Sequence, residues 1–344
     1  VKKYKAVVVG CGGRSRDHIL PYQWIDNAAV TACCAPHPAR REQVAAEFGL
    51  RPYADAAEMI AAEKPDIVHL VTWPDTRVEL MSLVAEAGVP LCTVEKPVAT
   101  GVKDWRALVQ LERRSPTRFA VCHQVRWQPY LARCQQALAD PAGPGRVLFL
   151  DISAGMNIAG QGTHTLNYGR SLTGDARVAS VSGSASGWDR SDPGHPAPAV
   201  TQAALTFDSG LRGLWTSGAI SPRCGDPATT WQHVRTAAYA ERGRVLYEEF
   251  GRWETVSPAG SASGDYGGMS LWRQNNLLAQ AGFHRAMFAW LEGGPPPGTN
   301  LAISLHEWQT VLALYTSALR RRPVDLEGFE PEDDLFHALE KELG

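Results

Sequence analysis

Apolar and polar positions fall into alternating strand-like and helix-like blocks along the first third of the chain. The run Lys5-Ala6-Val7-Val8-Val9 is nearly continuous and β-branched, as a strand buried on both faces requires. It breaks at Gly10-Cys11-Gly12-Gly13-Arg14-Ser15, after which Arg16 to Leu20 can begin a helix. Ala28 to Ala35 is a second apolar run, and Pro38 to Phe48 is a helical stretch ended by Gly49. Asp66 to Thr72 reads as a strand, Pro74 to Ala87 as a helix closed by Gly88, and Pro90 to Val94 as a strand. Val102 to Arg114 follows as a helix and Arg118 to Cys122 as a last strand. Repeated β–α units of this length predict a parallel sheet with right-handed crossovers, and ligands bind beyond the carboxyl ends of such strands.

The period then changes. Trp127 to Ala139 reads as a helix stopped by Pro141-Ala142-Gly143-Pro144-Gly145. Val147–Ser153, Val178–Ser186 and Ala199–Phe207 read as strands, and Asp208-Ser209-Gly210 turns the chain into a strand over Leu211–Ser217. Val234–Ala240 and Val245–Phe250 form a second hairpin around Glu241-Arg242-Gly243. Ser257 to Gly268 is rich in Gly and Ser and reads as a mobile connector, or a lid carrying Tyr266. Two long helices, Leu271–Glu292 and Ile303–Arg321, stand on either side of Pro295-Pro296-Pro297. The expected fold is an α/β Rossmann domain over residues 1–122 and an α+β domain with a large open, mostly antiparallel sheet over 123–344.

Composition narrows the function classes. At 344 residues, 44% hydrophobic and 20% charged, the chain suits two soluble globular domains. A net charge of −2 gives no reason to expect nucleic acid or an anionic membrane as partner. No run reaches membrane-spanning length and no leader precedes the first strand, so a cytoplasmic protein is expected. The 7 cysteines include no C-x-x-C pair, which supports neither a disulfide framework nor a metal site.

Candidate chemistry begins at the glycine turn. Gly10 permits the sharp turn, Gly12 lets main chain approach a pyrophosphate, and Ser15 is small enough for close helix–strand packing. With Gly13 and Arg14 these residues form the expected phosphate loop. An acidic residue after the second strand would grip the adenosine ribose, but Cys34-Ala35-Pro36-His37-Pro38-Ala39-Arg40-Arg41 contains none. His37 and Arg40 can face a 2′-phosphate beside Ala35. The cofactor is therefore NAD or NADP, with NADP slightly favoured.

Four segments together resemble the Gfo/Idh/MocA family of pyridine-nucleotide oxidoreductases. They are Gly10-Cys11-Gly12-Gly13, Glu95-Lys96-Pro97, Arg126 with Pro129, and Gly162-Thr163-His164 before a helix. The resemblance extends to Arg322-Pro323-Val324 and implies chemistry between a nucleotide-binding domain and an open-sheet domain through which members form dimers or tetramers. It implies that Lys96 polarises the substrate oxygen or joins in proton transfer, and that Glu95 and Pro97, typically cis, set its direction. His164 is implied as the general base for oxidation and acid for reduction. Thr72-Trp73-Pro74 and Arg77 resemble the loop bordering the cofactor, with Arg77 where histidine is common. Arg126 and Tyr168 are candidates for the substrate wall. His123, His195 and His306 read as structural or exposed.

The chain also departs from that family. Gly160 and Asn167 stand where aspartates are usual, so a carboxylate beside His164 is missing. Asn157 or Gln161 can meet substrate hydroxyls instead, Gln161 sharing a helix face with His164 if the helix starts that early. The expected activity is hydride transfer at a secondary hydroxyl or ketone of a sugar, glycoside or cyclitol. Two alternatives stay open: a redox-neutral glycosidase that retains its dinucleotide, and a nucleotide-sensing protein without catalysis.

Overall fold

The computed structural model describes residues 2–191, 195–226, 228–265 and 267–344. The chain divides into two compact units: Val1–Ala99 with Asp104–Gln124 and Asn276–Leu305, and Thr100–Lys103 with Val125–Asn275 and His306–Gly344.

The first unit is built on β1 (Tyr4–Val9), α1 (Ser15–Ile19), β2 (Ala28–Cys34), α2 (Pro38–Phe48), β3 (Arg51–Tyr53), α3 (Ala56–Glu63), β4 (Ile67–Leu70), α4 (Arg77–Glu86), β5 (Leu91–Val94), α5 (Val102–Arg114) and β6 (Arg118–Val121). Its strands run in the order β3-β2-β1-β4-β5-β6, with every neighbouring pair parallel. Chain direction in the sheet therefore reverses its sideways growth between β1 and β4, the place where ligands bind in open α/β sheets. All residues of β4 and β5 are buried, consistent with helices on both faces.

Three elements differ from expectation. β3 and α3 were absent from the sequence pattern, because Arg51-Pro52-Tyr53 has no apolar alternation to mark a strand. The start of α3 does carry a signal: Asp55 accepts a hydrogen bond from Glu58 N at 2.9 Å, the side-chain cap that an Asp-x-x-Glu spacing announces. The stretch before α4 begins as a tight 3-10 turn over Pro74–Thr76. The first unit also takes in residues 276–305, which the sequence pattern places in the second domain. β6 is the edge strand of the sheet, and an edge left open would offer unpaired main chain, which residues 299–300 cover here. Thr299 O accepts from Val121 N at 2.8 Å, Asn300 bridges Ala120, and Leu305 O accepts from Trp105 Nε1 at 3.0 Å.

The second unit carries α6 (Pro129–Ala139), β7 (Val147–Ala154), α7 (Thr163–Ser171), β8 (Val178–Asp189), β9 (Ala197–Phe207), β10 (Arg212–Ser217), β11 (Val234–Ala240), β12 (Gly243–Glu248), β13 (Arg252–Ser257) and β14 (Gly260–Asp265). After them come α8 (Met269–Leu291) and α9 (Leu301–Arg320), which straddle the two units in sequence, then β15 (Val324–Asp325) and α10 (Leu335–Leu343). Nine strands form one sheet, β14-β13-β12-β11-β7-β10-β9-β8-β15, antiparallel except for the β7–β10 pair. Leu150, Ile152, Trp215 and Ala238 face the buried side, whereas Leu148, Phe149 and Tyr239 remain partly exposed.

Most of the expected Ser257–Gly268 connector is instead strand. β14 pairs with β13 at the sheet edge, and Gly264 stands opposite Trp253. A Cβ on Gly264 would lie 2.7 Å from the Trp253 Nε1, so the small residue admits the indole. Tyr266 lies outside the described residues. No described helix is long and apolar enough to cross a membrane.

Candidate active site

Gly10 follows β1 with φ +104°, and a Cβ there would stand 2.2 Å from Val71 O. Both conformation and space require glycine. Gly10 N donates to Cys34 O at 2.8 Å, which joins the ends of β1 and β2. Around Gly12 and Gly13 the space a Cβ would take is open, so the turn presents bare main chain, as a pyrophosphate cradle must. Ser15 does not share in that presentation. It is fully buried and its Oγ donates to Gly12 O at 2.6 Å, closing the turn from within. Arg14 donates to Asp17 Oδ2 at 2.6 Å and reaches Glu95 Oε1 at 3.3 Å.

Four neighbouring strands end beside one another along this edge. β2 leads to Ala35, His37 and Arg40; β1 to Gly10; β4 to Thr72, Trp73 and Pro74; and β5 to Glu95 and Lys96. At the usual strand spacing, β2 and β5 lie about 14 Å apart, a span that suits an extended dinucleotide. Ala35 is buried and its carbonyl accepts from Arg41 Nη1 at 2.8 Å. His37 and Arg40 are exposed at the start of α2, and Trp73 is 66% exposed. The open glycine main chain and this row of loops fit a nicotinamide dinucleotide.

The Lys96–Pro97 peptide bond is cis. Glu95, just before it, is buried, and its Oε1 lies 2.8 Å from His18 Nε2. Burial alone would raise the Glu95 pKa, but Arg14, His18 and Lys96 outweigh it and hold the carboxyl well below its usual range. Arg77, expected at the cofactor, is 1% exposed. Its guanidinium donates to the carbonyls of Glu95, Pro97 and Thr72, so it touches main chain where a ligand contact was expected. Burial lowers its pKa to about 10.

Beneath Glu95 lies a polar cluster that sequence reasoning missed. Gln280 Nε2 stands 3.4 Å from His18 Nδ1 and 3.1 Å from His284 Nε2. His69 lies 2.6 Å from both Tyr22 Oη and Thr93 Oγ1. Burial pushes His69 and His284 well below the usual histidine range, which makes them neutral hydrogen-bonding groups. His18, His69 and His284 offer nitrogens within 4.8 Å of one another, as do His18, Glu95 and Cys122 with their own ligand atoms. Every ring nitrogen of these three histidines except His284 Nδ1 already has a protein partner, so hydrogen bonding accounts for the cluster. The signal was faint: polar residues in otherwise apolar runs of β4 and α8.

In the second unit His164 opens α7 with 9% of its surface exposed, its ring 6.1 Å from that of Tyr168. A wide π-type turn over Ile158–Gly162 precedes α7. Asn157 caps it through Gly160 N at 2.8 Å and donates to Asp189 Oδ2 at 2.8 Å, which commits its amide internally. Gln161 lies in that turn, and its amide donates to Trp231 O at 2.7 Å. Tyr168 Oη donates to Glu249 at 3.3 Å; Arg126 donates to Asn167 O at 3.3 Å and to Asp175. Asn167 donates to Glu307 Oε1 at 2.9 Å, and Arg170 Nη1 reaches the same oxygen at 2.6 Å. Glu307 is fully buried, and burial raises its pKa to about 7 against the pull of Arg170 and Asn167. A carboxylate from α9 therefore stands against Asn167 and Arg170. A lone glutamate on an apolar helix face was its only mark in the sequence.

Comparison with known proteins agrees with this architecture. Residues 4–123 match the Gfo/Idh/MocA family, described as an oxidoreductase family with an NAD-binding Rossmann fold. D-apiose dehydrogenase of Paraburkholderia graminis is 29% identical over 358 residues, covering 96% of this chain and 92% of that protein. An oxidoreductase from Agrobacterium radiobacter, solved with NAD+, L-tartaric acid and magnesium, superposes with a TM-score of 0.80 at 21% identity, covering 95% of this chain and 99% of that one. A putative myo-inositol dehydrogenase from Sinorhizobium meliloti superposes at 0.74 with 18% identity, covering 94% and 100%. These two likenesses show the shared fold. Residues 4–123 and the strand order they build therefore resemble the NAD-binding Rossmann unit of the Gfo/Idh/MocA oxidoreductases.

Proposed function

We propose that this protein is a dehydrogenase that oxidises a secondary hydroxyl of a sugar or cyclitol, or reduces the matching ketone. The supporting observation is the turn after β5. There Lys96 follows a buried carboxylate held by His18 and Arg14, at the strand edge where a dinucleotide fits. The similarity to D-apiose dehydrogenase over nearly the whole chain supports a sugar substrate.

The nicotinamide, when bound, supplies the hydride acceptor or donor. The main chain at Gly10, Gly12 and Gly13 receives the pyrophosphate, with Arg14 beside it. Ala35, His37 and Arg40 border the adenosine end, and Thr72, Trp73 and Pro74 flank the middle. Lys96 polarises the substrate oxygen through its ammonium, and His164 accepts the hydroxyl proton during oxidation and returns it in reduction. Arg126 and Tyr168, the latter 1% exposed, back the substrate wall from behind, held by Asp175 and Glu249. His37 and Arg40 are exposed and no carboxylate follows β2, which favours NADP over NAD. The partly exposed Phe149 and Tyr239, paired across β7 and β11, suit pairing of two copies through the large sheet.

The deciding experiment denatures purified protein, identifies any released nucleotide, and then assays D-apiose and a panel of sugars and cyclitols with NAD and with NADP. Reduced nucleotide formed with at least one of these, and abolished by Lys96→Ala, is the expected result. Full turnover in Lys96→Ala would remove Lys96 from the chemistry. No turnover across the panel would remove the substrate class.

A further inference from the structure

Arg77 is a buried cation whose guanidinium faces carbonyl oxygens. Nη1 donates to Glu95 O and, at 2.9 Å, to Pro97 O; Nη2 donates to Thr72 O at 3.1 Å. These acceptors belong to two loops. Glu95 and Pro97 stand on either side of Lys96, and Thr72 opens the loop after β4. A guanidinium is a planar fork, so three bonds from one group fix the relative placement of the loops as well as their separation. Burying its charge is costly, which makes an incidental packing role a poor explanation.

We infer that Arg77 is a positioning residue that holds the main chain on both sides of Lys96 and ties that turn to the Thr72–Pro74 loop. This rests on the role given to Lys96 above. Displacement of a reacting group by an ångström can cost about 100-fold in rate, so a rigid base under the lysine has a catalytic consequence.

The test uses the full chain carrying Arg77→Met, which keeps bulk without donors, and Arg77→Lys, which keeps charge without the fork. Folding is followed by circular dichroism, NADH and NADPH affinity by fluorescence, and Lys96 by trace acylation of Nζ across pH with mass-spectrometric readout. In Arg77→Met the Lys96 acylation rate should change about fivefold or its midpoint shift by about half a pH unit, with Arg77→Lys in between. Where the panel has supplied a substrate, kcat should fall about 100-fold in Arg77→Met with little change in KM.

An unaltered Lys96 acylation profile in a folded variant overturns the inference. If Arg77→Met does not fold, Arg77→Lys decides by the same readout. If neither folds, Arg77 is a folding element and the inference falls. The outcome is separable from the role of Lys96 itself. An active Lys96→Ala defeats that role, whereas an inactive Lys96→Ala beside an Arg77→Met with unchanged acylation defeats only the positioning.

Discussion

His18 Nε2 and Glu95 Oε1 are 2.8 Å apart although 77 positions separate them in sequence. The contact joins the first helix after the glycine turn to the residue before Lys96. Removal of one partner from a buried charged contact typically costs about 3–5 kcal/mol. Glu95→Gln should therefore lower stability in chemical denaturation by about that much near pH 7, with a smaller loss for His18→Leu because Arg14 still reaches Glu95. The sign with pH follows from a carboxyl held well below its usual range. Its contribution is present above the ordinary carboxylate pKa and is lost as pH falls through the depressed value. The gap between parent and Glu95→Gln should narrow only in acid. A gap that is constant from neutral to low pH would show that Glu95 is not held as a carboxylate.

Gly10 and Gly12 should respond differently to alanine. At Gly10 the added carbon meets Val71 O at 2.2 Å in a left-handed conformation, so Gly10→Ala should lose about 2–4 kcal/mol of stability and all nucleotide binding. At Gly12 nothing lies within 4 Å, so Gly12→Ala should keep its melting temperature and weaken NADH and NADPH binding about tenfold or more. Equal melting temperatures for both variants would contradict this account of the turn.

Much of the first unit was legible because a parallel sheet writes its strands as unbroken apolar runs. Val7 to Val9 is of this kind, Ile67 to Leu70 and Leu91 to Val94 are interrupted only by His69 and Thr93, and glycine turns and helical stretches separate them. β3 was not legible, since pairing to the end of β2, not side-chain pattern, makes it a strand. β14 failed for the opposite reason: its Gly and Ser composition signals a loop, while its ladder with β13 decides. Within the candidate site, motif spacing indicated Lys96 and the glycine turn. What surrounds them was invisible, because His18, Gln280 and Arg77 reach their partners only after folding, and in the second unit the same holds for Glu307. Spacing along a chain cannot show which polar side chain answers another across a sheet.

Asn157 separates a structural from a substrate role. Its Oδ1 caps Gly160 N and its Nδ2 meets Asp189 and His195 O. Asn157→Ala should cost about 2–3 kcal/mol through the lost cap and the unmet acceptors, with KM for an active sugar changed by less than about threefold. A large rise in KM at unchanged melting temperature would return Asn157 to the substrate wall.

Glu307 should give the second unit an unusual pH response. Its carboxyl is raised to about 7 by burial, so it binds its proton more tightly in the folded chain than in the unfolded one. The linkage then runs opposite to that of Glu95. Stability from this group is present below the ordinary carboxylate pKa and is lost as pH rises through about 7. Relative to Glu307→Gln, which cannot titrate, the parent should lose about 3 kcal/mol between pH 5 and 8. Arg170 loses its anionic partner in that variant at every pH, so the comparison concerns the slope and not the offset. Parallel stability curves across this interval would mean that the ion pair with Arg170 keeps Glu307 charged throughout.

Arg40 offers a test of the dinucleotide's adenosine end that needs no knowledge of the substrate. It is exposed in the first turns of α2, with His37 just before the helix and no carboxylate following β2. An exposed arginine on a phosphate is worth about 1–2 kcal/mol, or about 5–30-fold in affinity. Arg40→Ser should therefore weaken NADPH binding by that factor and leave NADH within about twofold. Because the contact is exposed, the parent's preference should shrink as ionic strength rises toward 1 M, where the screening length falls to about 3 Å. A loss shared equally by both nucleotides would place Arg40 on the pyrophosphate or the ribose, and a parent that binds NADH more tightly than NADPH would end the case for a 2′-phosphate.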